Sequence, residues 1–201
     1  MPDDTTGAGF MQPAAATMRN EGMESHEALR VLFETYKDRV FSVALHFFGG
    51  DEAMAKDITQ QVFVKLIDKM GQFRHEADAA TWLYRITANA CLDEIRKRKR
   101  LVFFGSPSEL GPSLAEPATT GEHRVEYQME REELAAEVKS AVASLSPKLR
   151  LVVLLRYFDE LPYERLAEAL GCSPGTVASR LNRAHKALAQ KLAHLREALP
   201  R

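Results

Sequence analysis

Apolar positions along the chain recur at intervals of three and four residues, and no strand-length run alternates between hairpin turns. That periodicity predicts an all-α protein. The pattern starts at Glu27, where Leu29, Leu32, Phe33, Tyr36, Val40, Phe41, Ala44, Leu45 and Phe48 make one stripe along a long first helix. Gly49-Gly50 predicts its end, and Asp51 stands where it can cap the next helix. The second helix carries Met54, Ile58, Val62 and Leu66 at four-residue steps. A polar loop from Gln72 to Asp78 leads to a third helix, from about Ala79 to Arg100, with Leu83, Ile86, Ala90 and Ile95 facing inward.

After Arg100 the pattern lapses. The stretch from Leu101 to about His123 is rich in Pro, Gly, Ser and Thr and is longer than loops inside one domain, so it predicts a linker. Helical spacing resumes near Glu126 with Leu134, Val138, Ala141, Val142 and Leu145 on one face. Ser146-Pro147 reads as an N-cap followed by proline in the first turn. The helix it opens is apolar at Leu149 and from Leu151 through Leu155, as expected for the buried centre of a second domain. The expected architecture is two small helical domains, residues 26–100 and 131–201, joined by a flexible linker over 101–130. Residues 1–25 lack periodicity and read as a disordered extension, within which Met23 is a second candidate start.

The segment from Leu161 to Leu188 carries the strongest local signal. A short helix holds Leu166, Ala167 and Leu170 inward, and Gly171 sits where a helix stops in a left-handed conformation. Ser173 and Pro174 restart the chain as N-cap and first-turn proline, and the next helix buries Val177, Leu181, Ala184 and Leu188. This is the spacing of a helix-turn-helix. Its opposite face presents Thr176, Ser179, Arg180, Arg183 and Lys186. Hydroxyls near a helix start and arginines beyond it suit a major groove, whereas the plainer reading is a helical hairpin with a basic solvated face.

Composition sharpens this picture only locally. The 201 residues have a formal net charge of -1, with 45% hydrophobic and 27% charged residues, which is ordinary for a soluble protein. DNA binding must therefore rest on clustering. Arg96 to Arg100 is the densest basic run, and Arg85, Asn89, Asp93, Arg96 and Arg100 share a helix face. With Trp82 and Tyr84 at its beginning, this face has the stacking surface and edge-reading groups that unstacked bases require; alternatively, Trp82 is a core residue and the basic run complements the helix dipole. On the second helix Asp57, Gln60, Gln61, Phe63, Lys65 and Asp68 are mostly polar. Pattern alone favours a solvated face with Phe63 as one wider core residue, a protein-docking surface being the other reading.

The two cysteines, Cys91 and Cys172, lack disulfide or zinc spacing and read as small buried residues in a reducing cytoplasm. The six histidines are scattered, and neither a nucleophile–base pair nor a phosphate loop is evident, so an enzyme has little support. No cofactor, metal or small-molecule substrate is expected. No apolar run has the length that membrane insertion needs.

Taken in order, Asp57-Ile58-Thr59-Gln60-Gln61-Val62-Phe63, then Thr81-Trp82-Leu83-Tyr84-Arg85-Ile86 with Asn89, Asp93 and Arg96, resemble region 2 of the extracytoplasmic-function (ECF) sigma factors of the sigma-70 superfamily. Leu145-Ser146-Pro147, Gly175-Thr176-Val177, Ser179-Arg180 and Arg183-Ala184 resemble region 4 of the same family. The resemblance covers about residues 27–100 and 131–196. It implies a non-catalytic specificity subunit that binds core RNA polymerase and promoter DNA, with an anti-sigma factor as a usual partner. It implies that Asp57, Gln60, Gln61, Phe63 and Lys65 dock on the polymerase, reversing the solvated-face reading. It assigns -10 recognition to the loop from Phe73 to Asp78, including Arg74, and to Trp82, Arg85, Asn89, Asp93, Arg96, Lys97 and Arg100. The recognition helix, through Ser173, Thr176, Ser179, Arg180, Arg183 and Lys186, would read the -35 element. Lys56, Gln61 and Ala178 depart from the residues common in the family, and Ala178 shifts weight onto Arg180 and Arg183. An autonomous helix-turn-helix dimer is the competing expectation, but no dimerisation heptads or ligand pocket are evident for it.

Overall fold

The computed structural model describes residues 25–69, 79–103 and 125–198, and helices make up nearly all of them. In chain order these are α1 (Ser25–Phe47), α2 (Glu52–Lys69), α3 (Ala79–Phe103), α4 (Val125–Ala143), α5 (Pro147–Tyr157), α6 (Tyr163–Leu170), α7 (Pro174–Lys191) and α8 (Ala193–Ala198). No strand occurs among the described residues. The expected N-terminal extension, the Gln72–Asp78 loop with Arg74, and most of the expected linker lie outside them; Leu101, Val102 and Phe103 continue α3 instead of starting the linker.

The first three helices form a bundle for the reason their stripes predict. Leu32, Tyr36, Val40 and Ala44 on α1 are buried against Ile58, Val62 and Leu66 of α2 and Leu83, Ile86 and Ala90 of α3, with Ile95 at the margin. The turn between α1 and α2 uses Gly49 (φ 71) and Gly50 (φ 97), a left-handed pair that side chains rarely adopt. Asp51 caps α2, its Oδ1 accepting the Met54 N–H at 2.9 Å. Ser146 and Pro147 begin α5 as expected, although the Ser146 side chain makes no capping hydrogen bond.

Two expectations need correction. On α4, Leu134 and Val138 are exposed, and among the residues of this helix whose burial is described Ala141 alone is buried, because α4 makes only slight contact with its neighbours α1 and α7. Cys91 is buried, and burial pushes its thiol up to about 12, but Cys172 is only half-buried in the turn after α6.

The buried helix α5 carries the main surprise. Leu151 to Leu155 are all buried, five apolar residues in succession, which requires neighbours on every side. Those neighbours are α6 and α7 of the second domain and also α1 and α3 of the first. One continuous core therefore runs through both halves of the chain.

Polar contacts complete the seam. Arg150 on α5 donates to Phe47 O at 2.5 Å, to Leu145 O at 3.1 Å and to Ala143 O, with its guanidinium 5.3 Å from the Phe47 ring centroid. Phe47 and Ala143 end α1 and α4, where carbonyls lack intrahelical donors, and Leu145 lies in the turn between α4 and α5. Tyr84 on α3 donates to Asp159 Oδ1 at 2.9 Å, in the turn after α5. Arg165 on α6 donates to Thr81 Oγ1 on α3 at 3.1 Å, and the rings of His46 and Phe158 lie 4.4 Å apart.

Two stability changes test these assignments. Gly171 ends α6 at φ 58 and has nothing within 4 Å of an added Cβ, so Gly171→Ala should lower stability by backbone strain alone, about 1 kcal/mol in a urea titration. Arg150→Met keeps much of the stem's volume but leaves three carbonyls without their donor, and should lower stability by about 2–4 kcal/mol by the same measurement.

Candidate nucleic-acid and polymerase interface

Three exposed arcs carry the expected site residues, each on a different helix. On α2, Asp57, Gln60 and Gln61 face solvent and Lys65 is half-buried. Phe63 does not: it is 8% exposed and meets Phe33 of α1 edge to face, with ring centroids 4.8 Å apart. Its neighbours Val64 and Ile67 are the open apolar residues, at 50% and 58% exposure. With Asp57, Gln60 and Gln61 they follow helical spacing, so the surface here is a mixed polar and apolar patch. The sequence signal for Val64 and Ile67 was their position off the Ile58–Val62–Leu66 stripe, which α2 buries completely.

On α3, Arg85, Asn89, Asp93, Arg96, Lys97 and Arg100 are exposed, and Trp82 is half-buried against the edge of the core. The tryptophan thus packs in part against the core and is in part exposed. The basic run is not uniform. A helix turns about 100° per residue, so five consecutive cations cannot share a face. Arg98 points back, with 22% of its side chain exposed, pairing with Glu94 at 3.2 Å and Asp51 at 3.9 Å and lying 5.4 Å from the Phe48 ring centroid. It secures α3 to the α1–α2 turn. Asp93 bonds Arg96 at 2.7 Å, fixing that guanidinium beside Asn89 on the outer face.

The helix-turn-helix forms as its residues predict. Gly171 adopts the left-handed cap of α6, its N–H bonding Ala167 O and Glu168 O. Ser173 then caps α7, accepting the Thr176 N–H at 3.2 Å, with Pro174 at the start of the helix. Leu166, Ala167, Val177, Leu181 and Ala184 are buried between the two helices, while Leu170 and Leu188 are partly covered.

Ser173, Ser179, Arg183 and Lys186 are exposed on the outer side, with Thr176 and Arg180 half-buried at its margin. Ser179 Oγ donates to Gly175 O at 2.9 Å, and its lone pairs remain usable as acceptors. Arg183 Nε reaches Ser179 O at 3.3 Å, and Arg180 lies back toward Cys172 Sγ at 3.5 Å. Both guanidiniums are therefore held along α7, with ample length to swing outward. Asn182, not singled out from the sequence, is also exposed, one turn after Ser179 and one turn before Lys186. Its amide is the group that reads adenine in a major groove. The three-residue step from Ser179 was its only sequence signal.

Among the described residues no group of His, Cys, Asp or Glu is placed to hold a metal ion, and no helix is long and apolar enough to cross a membrane.

Comparison with known proteins agrees with this layout. Residues 32–101 match the family Sigma-70 region 2, and residues 135–188 match Sigma-70, region 4. The RNA polymerase sigma-H factor of Pseudomonas aeruginosa is 32% identical over 82% of this chain and 86% of its own length. The ECF RNA polymerase sigma factor SigE of Mycolicibacterium smegmatis is 30% identical over 95% of this chain and 69% of its own. In structure, the chain resembles the sigma factor RpoE of Bartonella quintana, solved in complex with the anti-sigma factor NepR, with a TM-score of 0.66 at 23% identity, over 82% of this chain and 96% of that one. Region 2 on α1 to α3, region 4 ending in the α6–α7 helix-turn-helix, and relatives of this similarity show that the chain belongs to the ECF sigma factors of the sigma-70 family, which direct RNA polymerase to promoters.

Proposed function

We propose that the three exposed arcs divide the work of promoter-directed initiation among themselves. The observation that carries this is their separation: a mixed polar and apolar patch on α2, a basic face with asparagine on α3, and a hydroxyl- and arginine-bearing face on α7. The α2 patch, through Asp57, Gln60, Gln61 and Lys65 and with Val64 and Ile67 supplying apolar area, docks on core polymerase. Phe63 supports that surface from beneath by holding Phe33 and the helix pair together. The α3 face engages the melted -10 element: Trp82 offers a stacking edge, Asn89 reads a base, and Arg85, Arg96, Lys97 and Arg100 contact phosphates. Arg74, which lies outside the described residues, belongs to the same function by family resemblance.

The α7 face reads the -35 duplex. Ser173, Thr176 and Ser179 approach phosphates at the helix start, and Arg180, Arg183 and Asn182 reach base edges, with Lys186 on the backbone. The chain itself is non-catalytic: it supplies binding and positioning, and bond formation belongs to the polymerase. It acts in the cytoplasm, where the polymerase is. An anti-sigma factor is its proposed regulator, by analogy with the Bartonella relative's complex.

In vitro transcription with core polymerase, with and without the chain, tests the reading as a whole. Promoter-specific initiation should depend on the chain; a footprint on duplex DNA by the chain alone, without such initiation, would favour an autonomous regulator. Arg180→Ala should weaken -35-dependent initiation by roughly 5- to 100-fold, the range for one arginine–base contact of about 1–3 kcal/mol, while core affinity holds. Asp57→Ala should lower core affinity and leave binding to a -35 duplex unchanged. Equal loss of core affinity in both variants would refute the division of labour.

A further inference from the structure

The recognition helix carries a side-chain pair that the three arcs leave unused. Tyr157 at the end of α5 and His185 on α7 are joined by a hydrogen bond of 2.7 Å between the phenol oxygen and Nε2, with ring centroids 5.8 Å apart. Both residues are exposed, Tyr157 at 57%. A solvent-facing pair of this kind adds little to stability, because water offers each partner an equivalent bond. What the pair does achieve is to hold an imidazole in one orientation on the DNA-reading helix.

The place of His185 on α7 points to a target. A helix turns about 100° per residue, so Ser179, Asn182 and Lys186 occupy the middle of the outer face, with Thr176 and Arg180 at one margin and Ala178 and His185 at the other. A helix lodged in a major groove lies between two phosphate backbones, so each margin meets one of them. Arg180 can serve the first. On the second margin Ala178 has no polar side-chain atom, and His185 is the first side chain that can donate. It stands nine residues beyond Thr176, roughly 14 Å along the axis, past the N-terminal turns that face base edges and level with the backbone.

Tyr157 decides what His185 can offer. A phenol O–H that donates to Nε2 makes that nitrogen the acceptor, and the neutral ring then carries its proton on Nδ1. An N–H donor there matches the anionic oxygen of a phosphate. When the ring takes a second proton, Nε2–H donates to the phenol oxygen instead, and the Tyr157 O–H is released beside a cationic ring. In either state the ring stays fixed and the pair keeps one donor free. We propose that His185 contacts a backbone phosphate of the -35 duplex through Nδ1–H, and that Tyr157 is the positioning residue that sets its tautomer and orientation.

This inference rests on the proposed -35 reading by α7, and its test separates the two. Wild-type holoenzyme, the chain on core polymerase, first selects promoter fragments from a pool randomised over the -35 element. If it selects none, the proposed function fails and the contact goes with it. On selected fragments His185→Ala should weaken holoenzyme binding by about 3- to 10-fold, equally across the selected sequences, as a phosphate contact does. Tyr157→Phe keeps the ring and should cost about 2- to 5-fold. Both changes together should cost no more than His185→Ala alone, because Tyr157 acts through the histidine. His185→Asn places an amide N–H near the position of Nδ1 and should recover most of the binding, now indifferent to Tyr157→Phe. In the free chain at about pH 8, above the ordinary histidine range, nitrogen-15 NMR of the ring should place the His185 proton on Nδ1, and Tyr157→Phe should mix the two tautomers. Folding of each variant is checked by circular dichroism, and His194→Ala, which removes the exposed pair with Glu137 on another face, should bind as wild type. Wild-type binding by either folded single variant, losses that add in the double variant, a changed -35 preference, or a wild-type proton on Nε2 would each overturn the proposal.

Discussion

The rest of the structure depends on where Arg150 places its guanidinium. A helix that ends leaves its last carbonyls without intrahelical donors, and two helices of this chain end close together at Phe47 and Ala143. Arg150 serves both, and its stacking on the Phe47 ring shields the contact. The group is desolvated there, which lowers its pKa from the ordinary arginine value, and its Nε remains without a partner among the described residues. What holds a partly buried cation in place is therefore the set of carbonyls it faces, with no counter-ion beside it among the described residues. That arrangement seats α5 on the end of α1, and from it follow the burial of all five residues from Leu151 to Leu155 and the approach of α6 to α3.

Charge elsewhere in the molecule is distributed according to use. A net charge of -1 gives no long-range attraction to DNA, so the positive faces of α3 and α7 work locally. Within the α3 run the division is visible residue by residue. Arg98 spends its guanidinium on Glu94, Asp51 and the Phe48 ring, and Arg96 is steadied by Asp93, while Lys97 keeps only a 3.9 Å approach to Glu94. The mixture fixes the helix against the bundle and leaves the outer cations free to meet phosphates. Exposed pairs of this type contribute little to stability, so they can be exchanged for nucleic-acid contacts at small cost.

Local features of the fold were legible from the sequence because each has a local cause. Stripes predicted the helices, Gly49-Gly50 and Gly171 predicted their ends, and Ser173-Pro174 predicted the start of the recognition helix. What was not legible depends on contacts between segments distant in sequence. Pattern alone favours Phe63 as a wider core residue and only the family resemblance makes it a docking residue; Phe33, thirty positions earlier, is what covers it. Tyr84 looks like a companion of Trp82 at the -10 face, yet it is fully buried and bonded across 75 positions to Asp159. Leu134 and Val138 follow the helical spacing of a core face, but α4 extends beyond the body that would bury them. Arg150, one of three cations on α5 with Lys148 and Arg156, gives no periodic signal that sets it apart. The residues of the three proposed sites were readable largely through family resemblance, since exposure and function leave no hydrophobic pattern behind.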